Sequence, residues 1–179
     1  MAPLSLNSNN EKIELTILRN LFFNEDYTRK VLPFLNPIYF SKRDERELYI
    51  EVEKFVNKYK NLPTKEAILI ELNNRRDINE EEHKNIKELI NTISYEEVDL
   101  QWLLDTTERF CKDRAVHNAV LDGIKILDGK DNKRTQEAIP SILADALAVS
   151  FDNHIGHDYI GDADNRFDWY HTKEKKYKF

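Results

Sequence analysis

Residues 99–127 read DLQWLLDTTERFCKDRAVHNAVLDGIKIL, and no other stretch says as much about the fold. Leu103, Leu104, Phe110, Cys111, Val116, Val120, Ile124 and Leu127 recur at helical spacing without a proline, so the stretch predicts one long helix from about Asp99 to Leu127. Thirty residues of helix measure roughly 45 Å, longer than a small helical domain needs. Asp128–Arg134, DGKDNKR, is a polar turn with Gly129 as a C-terminal cap. Ile139, Ile142, Leu143, Ala146 and Leu147 then carry a second helix back toward Phe151, with Pro140 tolerable only in its first turn. Two helices joined by a short polar loop make an antiparallel hairpin.

Upstream, the pattern is also helical but more compact. Residues 1–10 are polar and expected to fray. From Glu11, Ile13, Ile17, Leu21 and Phe22 mark a first buried helix, and a shorter one spans about 25–35. Pro33 and Pro37 make an apolar turn. Ser41 with Asp44 resembles a capping box for a helix carrying Leu48, Val52, Phe55, Val56 and Tyr59, which Asn61-Leu62-Pro63 stops. Thr64 and Asn79 are N-caps for two more helices. No segment alternates with the period of a strand, and only four glycines occur in 179 residues. The predicted class is therefore all-α: a flexible N-terminus over 1–10, a compact helical head over 11–98, a long antiparallel helical hairpin over 99–152, and a linker with a short linker helix over 153–179.

Composition narrows the function. The net charge is −6, and residues 171–179 alone carry +3, leaving −9 for residues 1–170. An acidic body lacks the electrostatic footprint of an independent DNA binder, so protein partners are expected. The lone Cys111 forbids an internal disulfide and suits a reducing interior. No apolar run is long enough to span a bilayer and no secretory signal is evident, so no membrane partner is expected.

No stretch assembles a catalytic signature. GHDYIGDA, 156–163, has the two glycines of a phosphate-binding loop, but Asp162 and Ala163 replace its lysine and hydroxyl residue. The cluster His154, His157 and Asp158 offers metal-ligand chemistry, and a small metal-dependent phosphohydrolase is the enzyme alternative. Yet its residues lie along a linker without a partner motif upstream, so a solvated acidic linker is the plainer reading. Cys111, His83 and His117 read as structural or solvated. No catalytic, cofactor or metal residue is assigned.

Interface residues are assigned instead. The stripe Phe110, Val116, Val120, Ile124, Ile139, Leu143 and Leu147 exceeds what a two-helix hairpin hides by itself, so it folds onto its own head or pairs with another chain. Phe167, Trp169 and Tyr170 lie in a helix-compatible stretch, 162–173, acidic first and lysine-rich last, that suits a receiving groove.

Three stretches together resemble a known family: IELTILRNLFFNEDYTRKVLPFLNPIYF (13–40), KDRAVHNAV (112–120), and the run from Ala138 to Phe179, with AVSFDNHIGHD (148–158) the most specific part. They resemble the amino-terminal part of the T-even-bacteriophage type of replicative DNA helicase, one of the hexameric helicases similar to the bacterial replicative helicase. The resemblance implies a collar and linker that mediate ring assembly from dimer to hexamer and dock primase and helicase loader in the host cytoplasm. It implies that NTP hydrolysis, with ATP or GTP and Mg, and engagement of single-stranded DNA in 5′–3′ unwinding belong to a RecA-like motor domain beyond Phe179. It implies too that the linker helix docks on a neighbouring motor, and that this stretch is itself no enzyme. An unrelated helical adaptor is the third reading.

Overall fold

A computed structural model describes residues 6–151. Within them the chain forms seven α-helices, α1 (Leu6–Phe23), α2 (Glu25–Val31), α3 (Arg43–Tyr59), α4 (Lys65–Asn73), α5 (Glu80–Thr92), α6 (Leu100–Leu127) and α7 (Ile139–Leu147), with 3-10 turns at Pro37–Tyr39 and Gln136–Ala138. No strand occurs among the described residues, as the all-α reading requires.

The helix ends follow from local chemistry. Asn24, Thr64, Asn79 and Asp99 each accept a hydrogen bond from the backbone N–H three residues on, and Asn79 and Glu82 complete a reciprocal capping box. At the far end of α6, Gly129 adopts φ +68°, letting Lys130 N–H reach the Lys125 carbonyl and Gly129 N–H the Ile126 carbonyl. This is the Schellman closure, and a left-handed residue is what it requires.

Three expectations need correction. Helix α1 starts at Leu6 rather than Glu11; polarity marks an exposed turn without breaking it, and no glycine or proline lies between Leu6 and Phe23. Ser41 is not the cap of α3: Lys42 holds that position without a side-chain bond. The Ser41 hydroxyl and N–H both go to the carboxylate of the buried Glu14, at 2.9 and 3.3 Å. A buried carboxylate demands donors more than a helix end that water can solvate. The returning helix α7 is the third case, since it holds nine residues and ends at Leu147. Pro140 has no N–H and confines the helix start to Ile139, with a 3-10 turn taking up the residues before it.

The core is contributed by all of α1 to α6. Phe40 stacks on Tyr49 at 5.0 Å between ring centroids, and Phe110 tilts against Phe40 at 6.4 Å. Burying each of these rings is worth about 2–3 kcal/mol. Core packing therefore continues past residue 98 into the first half of α6, where Leu103, Phe110 and Cys111 are sealed. Arg114 Nε donates to the Tyr39 carbonyl at 2.6 Å and extends the attachment one turn further. On the opposite side, Arg75 bridges Glu47 and Glu51 of α3 at 2.8 and 2.9 Å and also pairs with Asp77, fastening the α4–α5 loop.

Two buried polar links hold this core in register. Thr107 donates its hydroxyl proton to the Leu103 carbonyl at 2.8 Å, so Tyr27 must donate in the 2.7 Å bond between Tyr27 and Thr107. Tyr27→Phe is expected to lower stability by about 1–2 kcal/mol in chemical denaturation, and an unchanged midpoint would show that the bond contributes nothing.

The second link is Glu14 and Glu45. Burial, then the hydrogen bond and charge of Glu14, push the Glu45 carboxyl up to about 8, with Lys42 opposing. No N–H reaches Glu45 Oε2, and a protonated Glu45 carboxyl can donate to the Glu14 carboxylate. The folded state then keeps a proton that the unfolded chain has already released above the ordinary carboxylate range. Stability is accordingly present at pH 5 and declines as pH rises toward 8. In Glu45→Gln, thermal unfolding should lose most of this decline between pH 5 and 8; an unaltered pH profile would contradict the shared proton.

Candidate protein-interaction surface

The second half of α6 has no core on which to rest. Helix α7 runs back along it: Arg134 pairs with Asp122 at 2.9 Å, Ile139 lies beside Gly123, and Ser150 Oγ donates to Glu108 at 3.2 Å. The last two, with 139 beside 123 and 150 beside 108, define an antiparallel arrangement. Phe151 then stacks on Phe34 at 4.7 Å and returns the chain to the core.

One helix can cover only one face of another. Ala119, Gly123 and Ile126 are the residues of α6 buried under α7. Val120, Ile124 and Leu127 project about a fifth to a third of a turn round the axis and Leu121 about half a turn, and the four stand 42–60% exposed. Leu147, the last residue of α7, is 71% exposed, whereas Ala146 beside it is buried. The result is an apolar patch of Val120, Leu121, Ile124 and Leu127 on the projecting half of α6, while Leu147 is exposed where α7 returns toward the core.

The residues assigned from sequence divide between two fates. Val120 and Ile124 lie on the exposed patch, Leu147 is exposed separately at the core end of α7, and Val116, Ile139 and Leu143 are half-buried. Phe110 is a correction: at 3% exposure it fills the core beside Phe40 and offers no surface. Its position in the apolar stripe of α6 does not distinguish the half that enters the core from the half that leaves it. Phe167, Trp169, Tyr170 and the cluster His154, His157 and Asp158 lie outside the described residues.

Sequence reading missed Leu121, Trp102 and Ile38, which are 42%, 54% and 53% exposed. Leu121 departs from the i, i+4 stripe of Val116, Val120 and Ile124 and therefore carries no periodic signal. Gly123 was also overlooked, although an isolated glycine inside a helix marks close approach. A methyl group there would stand 3.6 Å from Ile139 Cγ2, ordinary contact distance.

Electrostatics adds no reactive group. Burial pushes the Cys111 thiol up to about 12, which leaves no thiolate at neutral pH. The hydrogen bond from Lys112 holds the Glu108 carboxyl below its usual range, a structural role beside Ser150. Among the described residues no group of three His, Cys, Asp or Glu side chains is placed to hold a metal ion, and no helix is long and apolar enough to cross a membrane.

Gly123→Ala fills ordinary space and removes the conformational freedom of a helical glycine. We expect it to raise stability by about 0.5–1 kcal/mol; a loss of that size would mean that α6 and α7 approach more closely than the 3.6 Å contact allows.

Comparison with known proteins agrees with the resemblance carried by the three sequence stretches. No family model matches the chain. The chain is 32% identical over 171 residues to the DnaB-like replicative helicase of Enterobacteria phage T4, an alignment that takes in 91% of this chain and 36% of that protein. The chain thus spans about a third of the length of its relative.

Proposed function

We propose that this chain is the collar and linker portion of a phage replicative DNA helicase, a scaffold through which subunits pair and assemble toward a hexameric ring. Likeness to a replicative helicase over 91% of the chain supports the class. The observation that carries the role is the uncovered patch of Val120, Leu121, Ile124 and Leu127 on the projecting half of α6. Contiguous apolar surface on a structure with its own closed core is the usual mark of a protein partner, and an apolar helix face is suited to the same face of a second copy.

In this reading the chain itself performs no chemistry. NTP hydrolysis with Mg and the pulling of single-stranded DNA belong to the part of the parent helicase that this chain does not span. Primase and helicase loader dock on the collar, and the stretch 153–179 leads toward the motor. The host cytoplasm is where such a complex works.

Light scattering over a concentration series tests the pairing. The chain is expected to rise from monomer toward dimer, and Ile124→Asp combined with Leu127→Asp should weaken association about tenfold or more, ~1.4 kcal/mol. Both side chains are exposed, so helix content measured by circular dichroism should not change. A chain that stays monomeric at every concentration, or a double variant that pairs as well as the parent, would refute the pairing role of this patch.

A further inference from the structure

A second surface lies at the other end of α6, away from the hairpin patch. Between α1 and α6 there is an open cleft of about 300 Å³, whose floor is Ile13, Ile17 and Leu103. Ile17 and Leu103 are each only 1% exposed, so the floor is the outer skin of the core itself. The indole of Trp102 stands at the rim, more than half exposed, with Lys12 and Arg109 also lining the cleft.

The two cations set this cleft apart. Of the other basic residues of the same helices, Arg19, Lys112 and Lys125 pair with Glu96, Glu108 and Asp122, and Arg114 donates to the Tyr39 carbonyl. Lys12 and Arg109 have no carboxylate partner among the described residues. They form a positive rim round an apolar floor on a chain whose net charge is −6. Tryptophan and arginine beside a desolvated pocket are the usual components of an interaction hot spot. A volume of 300 Å³ is at the lower bound for a small-molecule site and suits one or two side chains of a peptide.

We propose that this cleft docks an acidic peptide segment of another protein, with one large apolar side chain on the floor and a carboxylate within a turn of it paired to Lys12 or Arg109. The sign of the rim selects the partner, because a lysine-rich segment would meet two unpaired cations. Single-stranded nucleic acid is the less suitable occupant: two cations do not make a track for successive phosphates, and the acidic body repels them. The proposal goes beyond subunit pairing, which uses a different face, and each can fail without the other.

The full chain carries two tryptophans, so Trp169→Phe leaves Trp102 as the sole reporter. The probes are a panel of short amphipathic helical peptides bearing a Phe, Leu, Ile or Met anchor flanked by Glu and Asp, their Lys-flanked counterparts, and an oligothymidylate. At least one acidic peptide should give a saturable change in Trp102 emission. Its affinity should fall about tenfold or more in Lys12→Glu with Arg109→Glu, while circular dichroism and the light-scattering mass stay unchanged. No response to any acidic peptide, equal response to the Lys-flanked set, or binding of the oligothymidylate alone would overturn the proposal. So would a response that emerges only when Asp162, Asp164 and Asp168 are replaced by lysine, since this chain's own tail would then be the occupant.

Discussion

A helix of 28 residues extends about 42 Å, and the core that forms round α6 occupies only its first half. Everything else about the molecule follows from this mismatch. Over Leu103 to Cys111 the helix is the wall against which α1, α2 and the Phe40–Tyr49 stack close, and the Tyr27–Thr107 bond fixes its rotation there. Over Ala119 to Leu127 the same helix projects with a single nine-residue companion. One end is consumed by folding and the other is left uncovered.

The division also explains why the surfaces differ in kind. At the projecting end the uncovered residues Val120, Leu121, Ile124 and Leu127 are aliphatic and lie along α6, so the surface is without charge selection. Where α6 enters the core, α1 crosses near it and leaves a concave cleft with a tryptophan and two cations at the rim. An aliphatic patch is suited to a copy of itself, whereas a charged concave site discriminates among partners.

Much of the fold was legible because its signals are local. Thr64, Asn79, Asp99, Gly129 and Pro140 each act on backbone groups within a turn of themselves, and each acts in the structure as its chemistry predicts. Ser41 failed as a cap because a competing acceptor, Glu14, lies 27 residues away in sequence and is invisible to any local rule. The interaction surface was less legible for the same reason. Phe110 and Ile124 belong to one apolar stripe of one helix, yet the first is sealed and the second half exposed.

By itself, then, the sequence determined the helical class, the caps, the length of α6 and the chain reversal at Asp128–Arg134, since periodicity and backbone satisfaction are settled between near neighbours. Its three family-like stretches also pointed to a replicative helicase, and likeness to the phage T4 protein agrees. Only the tertiary structure decided which half of α6 is core, which face α7 covers, where a carboxylate must keep its proton, and that Trp102 stands beside a cleft. Burial depends on what packs from a distance, and a stripe of apolar residues does not state how much of itself will find a partner.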